Sequence, residues 1–115
     1  MLKMSLFLFQ FLITSMKDLG WNVTTDPFKA QTPRFGKLTF ENIVARVNPN
    51  AKRYLALACH YDSKYFRERA FIGATDSAVP CAMMLNIAHV LKPYLDQIKN
   101  NVSNSINFTH NHQST

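Results

Sequence analysis

The sequence predicts an α/β domain, and three observations carry that expectation. The run Arg53-Tyr-Leu-Ala-Leu-Ala-Cys-His60 is short, apolar and bounded by charge, the pattern of a buried strand. The run Ala78 to Leu91 is apolar almost all round, broken only by Asn86 and His89, and is long enough for a core helix. Between them lies a polar interval holding His60, Asp62 and Asp76, so chain order brings a strand end to a helix start. Open α/β sheets bind ligands at that end of their strands.

The elements follow in order. Residues 5–15 (Ser-Leu-Phe-Leu-Phe-Gln-Phe-Leu-Ile-Thr-Ser) after one lysine suit either a signal peptide with a poor cleavage site or a helix that runs to Gly20 and packs on the sheet. The stretch is too short to span a bilayer. Trp21 to Thr25 and Lys37 to Val47 have strand content, the second alternating apolar and polar. Asp26-Pro, Thr32-Pro and Gly36 between them mark turns or a wide hairpin loop. Asn48-Pro-Asn-Ala connects to the buried strand. Pro80 must sit in the first turn of the following helix, which places its start near Asp76 or Ser77 with one of them as N-cap. Lys92-Pro93 ends or kinks that helix, and Tyr94 to Lys99 form a further short turn. From Asn100 the residues are mainly Asn, Ser, Thr, His and Gln, a composition expected to be disordered, so the ordered domain is 1–99 and the tail 100–115.

The 115 residues make one domain at most. The net charge of +6 comes from cations scattered singly, without the aromatic-interleaved basic stripe of a nucleic-acid surface. Cys59 and Cys81 flank the polar interval and are open to three readings on the residues alone: a disulfide, two buried thiols, or a reactive thiolate at a helix start. Sequons at Asn22, Asn101 and Asn107 permit glycosylation in a secretory compartment.

The segments Ala-Cys-His-Tyr-Asp-Ser-Lys-Tyr-Phe and Gly-Ala-Thr-Asp-Ser-Ala-Val-Pro-Cys-Ala-Met-Met-Leu, within 51–91, resemble the animal glutaminyl-peptide cyclotransferases (glutaminyl cyclases). The likeness continues more weakly back through 11–50 and stops near Asn100. It implies a partial, incomplete zinc aminopeptidase-like (phosphorylase/hydrolase-like) fold, a mixed β-sheet with flanking helices. It also implies a Cys59–Cys81 disulfide, hence a secreted or secretory-pathway location, and a zinc cofactor.

On the same resemblance, Asp76 matches a zinc ligand. His60 and Asp62, on one face of a strand, form hydrogen-bonded partners that orient the site, although in two-metal aminopeptidases the equivalent histidine holds a second zinc. Lys64 and Phe66 lie in the loop that borders the substrate pocket. The implied reaction closes the N-terminal glutamine of a peptide to pyroglutamate with loss of ammonia. The family's proton-shuttling glutamate should follow Asp76, yet no glutamate follows Glu68, so no catalytic residue of that kind is present. His89 is expected at the core edge about 20 Å from Asp76, and His110 and His112 in an unpositioned tail. The expectation is therefore a truncated cyclase piece, inactive alone. A zinc aminopeptidase fragment and a non-enzymatic secreted binding module are the alternatives, with no nucleic-acid partner and no stable membrane span.

Overall fold

The computed structural model describes residues 2–62, 67–68, 73–100 and 103–111. Helix α1 (Leu2–Asp18) leads into strands β1 (Asn22–Thr32), β2 (Gly36–Arg46) and β3 (Arg53–His60), then helices α2 (Val79–Val90) and α3 (Lys92–Ile98), and finally strand β4 (Asn104–Asn111). The sheet order is β1-β2-β4-β3. β1 and β2 pair antiparallel, β2 and β4 antiparallel, and β3 and β4 parallel. A parallel pair needs a long crossover, supplied here by α2 and α3.

Helix α1 is the expected first helix. Leu12, Ile13 and Met16 are buried on one side of it while Phe7 and Phe11 stay exposed on the other. It stops where Gly20 takes the left-handed conformation (φ 84°), which a glycine enters without Cβ strain.

The hairpin is tighter than expected, because β1 runs through Pro27 to Thr32 and only 33–35 turn. Pro27 is tolerated since β1 is an edge strand and its missing N–H costs no ladder bond to an outer neighbour. The Thr32 hydroxyl closes the turn: it accepts from Phe35 N–H at 3.0 Å and donates to the Gly36 carbonyl at 2.8 Å.

Two expectations fail. Strand β3 is not buried, for Leu55 is 62% exposed and only Cys59 is fully covered, because β3 forms the other edge of the sheet. The tail is not disordered over 104–111. Its polar residues alternate with Ile106, Phe108 and His110, and inserted between β2 and β3 it satisfies its backbone donors and acceptors on both sides.

The helices cover one face of the sheet. Across it run two rows fixed by the register: Ala45, Phe108 and Leu57, and one step further along, Ile43, His110 and Cys59. Met16, Trp21, Cys81, Met84, Ala88 and Leu95 close over these rows. Trp21 and Phe108 meet with ring centroids 4.6 Å apart, a contact that adds to the area both bury.

Candidate active site at the ends of the parallel strands

The β3 run ends at His60 because the next residues are polar and break the apolar pattern. There it lies beside Asn111, the end of β4, and Tyr61 N–H still donates to the Asn111 carbonyl at 3.0 Å. Consecutive strand residues point to opposite faces. Cys59 therefore enters the core while His60 reaches the crevice at the strand ends.

Opposite His60, the chain enters α2 through a wide turn at 74–78 in which Ala78 N–H donates to the Gly73 carbonyl at 3.0 Å. Asp76 (φ −133°, ψ 77°) and Ser77 (φ −139°, ψ 41°) are extended and non-helical, and the peptide bond joining them is cis. The expectation that one of them is the helix N-cap fails: that position is Ala78, and among the described residues no side chain caps the helix. Both side chains are turned to β3 instead. His60 N–H donates to the Ser77 hydroxyl at 3.2 Å, and that hydroxyl donates to the His60 carbonyl at 3.1 Å. Asp76 Oδ1 lies 2.6 Å from His60 Nε2.

The other ring nitrogen of His60 is held as well, Nδ1 lying 2.9 Å from the Asp62 carbonyl and 3.4 Å from Asp62 Oδ1. Both nitrogens face acceptors, an arrangement that only the doubly protonated ring satisfies. Burial opposes the charge, but the Asp76 hydrogen bond, the Asp62 carbonyl and the two carboxylate charges outweigh it and raise the His60 pKa above its usual value. The side chains of His60 and Asp62 are 14% and 16% exposed, whereas that of Asp76 is 79% exposed. The triad thus presents one open carboxylate steadied by the His60 ring. Beside it, Tyr61 donates its hydroxyl to the Glu41 carbonyl at 2.6 Å, and burial, with the charges of Asp62 and Glu41, pushes its pKa up to about 12.

Cys59 and Cys81 are joined as a disulfide with Cα atoms 5.5 Å apart, tying the end of β3 to the first turn of α2. In the chain-entropy account such a closure contributes about 3 kcal/mol. Lys64 and Phe66, and His112, lie outside the described residues. His89 is exposed, on the rim of an open groove with Phe11, Leu85 and Lys92 between α1 and α2. His110 is fully buried, not a tail residue, and burial lowers its pKa to about 4. Ser77 organises the site through its bonds to His60, a role outside the sequence expectations. The alternation Ile106, Phe108, His110 was the available signal for the strand; a serine hydroxyl bonded across to another element leaves none.

The profile of peptidase family M28 matches residues 42–111. The chain is 53% identical over 90 residues, 78% of its length, to glutaminyl-peptide cyclotransferase of Drosophila melanogaster, and 55% identical over 83 residues, 70% of its length, to that of Bos taurus. It spans about a quarter of these relatives, 25% and 23% respectively. The crystal structure of Macrostomum lignano glutaminyl cyclase superposes with a TM-score of 0.76 at 39% identity, covering 90% of this chain and 29% of that one. Among the described residues no helix is long and apolar enough to cross a membrane. With the match running from β2 to the last residue of β4 and enclosing the strand-end site, the chain belongs to peptidase family M28.

Proposed function

We propose that the chain carries the metal-side part of a glutaminyl-peptide cyclotransferase site, which acts on peptides with an N-terminal glutamine and releases ammonia as the pyroglutamyl ring closes. The observation that carries this reading is the 2.6 Å contact between His60 and the exposed Asp76 at the strand ends, within a segment about half identical to proteins named for that activity.

Zinc suits the donor chemistry in part. Asp76 offers a hard oxygen ligand. His60 has an acceptor at each ring nitrogen, which supports a positioning role for His60 and Asp62 and favours this reading over a two-metal peptidase. A catalytic zinc takes three protein ligands, and among the described residues no group of three His, Cys, Asp or Glu side chains forms around Asp76. Bound zinc would polarise the substrate amide as a Lewis acid. The chain's own part is to fix the carboxylate: the His60 ring holds Asp76, Asp62 holds the ring, and Ser77 pins the backbone between them.

No glutamate follows Glu68 to move the proton from the attacking amine to the leaving ammonia. The 115 residues alone are therefore expected to show no turnover and only weak zinc binding that Asp76→Ala barely changes. Lys64 and Phe66 are proposed to border the peptide pocket. The disulfide supports a secretory location, where such bonds persist.

The test is a chimera in which residues 42–100 replace the matching segment of the Drosophila relative, assayed by mass spectrometry for ammonia loss from a Gln-initiated peptide. It should cyclise the peptide. Asp76→Ala should reduce the rate to background, and His60→Ala should lower activity or metal affinity about 10–100-fold. A folded chimera without activity, or one indifferent to Asp76→Ala, would sink the reading.

A further inference from the structure

We propose that reduction of the Cys59–Cys81 disulfide converts these two residues, together with His110, into a buried site for a soft-ligand divalent metal, zinc or cobalt. The three donors come from β3, α2 and β4, and their ligand atoms all lie within 4.8 Å of one another. Each residue is buried. In the disulfide state the sulfurs are not thiolates and do not act as metal ligands.

His110 supplies the independent observation. Its ring is 0% exposed, and among the described residues neither Nδ1 nor Nε2 has a hydrogen-bond partner. Leaving such atoms unpaired in the core is costly, and no contact of the strand-end site uses them. The register sets the ring directly beside Cys59, so an unpartnered imidazole is held against the sulfur pair. Burial keeps it neutral, the form with a lone pair to donate.

The geometry is close to what a metal needs. Zn–S bonds of about 2.3 Å and Zn–N bonds of about 2.0–2.1 Å at tetrahedral angles separate donor atoms by about 3.4–3.8 Å. The imidazole has to approach by roughly 1 Å and the sulfurs have to part, within the reach of side-chain rotation. The steps balance. A dithiol reductant delivers two electrons and two protons to the disulfide and leaves as its own cyclic disulfide. Metal binding then displaces one proton from each thiol, and two thiolates on a divalent ion give a neutral buried unit. Water fills the fourth position, near the Ser77 hydroxyl that lies 3.9 Å from Cys81 Sγ.

This site faces the core, whereas His60 and Asp76 face the crevice, so the two are separable by mutation. The full chain, reduced with dithiothreitol and freed of it anaerobically, is titrated with Co²⁺ and followed by optical absorption and far-UV circular dichroism. The expected result is a one-to-one complex with a thiolate-to-cobalt charge-transfer band and tetrahedral d–d bands. These should be absent in the oxidised protein and abolished when zinc displaces the cobalt. His110→Phe should weaken binding at least about tenfold and alter the d–d envelope, while Asp76→Ala leaves the spectrum unchanged. A reduced chain that gives no charge-transfer band, that remains unfolded with cobalt present, or that binds identically as His110→Phe overturns the proposal.

Discussion

Strands β3 and β4 run parallel to the same end of the sheet, yet their composition and burial are inverted. β3 is nearly all apolar and lies at the edge, with Leu55 and Tyr54 exposed. β4 is Asn, Ser, Thr and His around Ile106 and Phe108 and lies between two partners, with Ser105, Phe108 and His110 buried. A strand's place in the sheet, more than its own composition, decides what is taken out of water. The cost appears where β4 is most polar: the Asn107 side-chain oxygen and both His110 nitrogens are buried without partners among the described residues.

The largest effect that sharpens this contrast is expected at Phe108, whose ring is 1% exposed against Trp21. Phe108→Ala should cost about 3–5 kcal/mol in urea unfolding. Were it to cost less than Leu55→Ala on β3, the assignment of β4 to the centre of the sheet would be wrong. Next, reducing or replacing the disulfide, as Cys59→Ser with Cys81→Ser, should remove about 3 kcal/mol; unchanged denaturation midpoints would mean the crosslink is not formed.

The pH dependence tests the buried imidazole. His110 has a folded pKa of about 4 against an ordinary 6.5. Between these values the unfolded chain binds more protons at this residue, so its contribution leaves stability whole above about pH 6.5 and lowers it as pH falls toward 4. The loss is at most about 3 kcal/mol. The His110→Phe variant should be less sensitive over this window, and identical slopes for the two proteins would place His110 in contact with water. The smallest effect is at the edge. Leu55→Ser should change stability by no more than about 0.5 kcal/mol, and a larger loss would show that β3 is covered.

The parts legible in the sequence were those whose signal is local. The apolar run ending at His60, the paired Asp62 and the polar turn before an apolar helix all stand out within 53–91. Asp76 was placed near His60 by chain order alone, but not in its non-helical turn, because hydrogen bonds from Ser77 across to β3 override the capping preference of the residue itself. Pro27 read as a turn because a single sequence does not tell an edge strand from a loop. β4 was unreadable for a related reason: two neighbouring ladders, invisible in its own composition, hold it in place.

The central slot also sets an order of assembly. The β1–β2 hairpin pairs residues close in sequence, whereas β4 joins Ile43 to His110 and Cys59 to His110 across long loops. Non-local pairing of this kind is slow because loop closure comes before its reward. Until β4 arrives, β2 and β3 each present an open row of backbone donors and acceptors, which is a template for pairing with a second chain. Refolding should therefore lose yield as protein concentration rises. Phe108 substitutions should give φ-values near zero while those in the hairpin are high, so the most buried strand is the last to be protected from self-association.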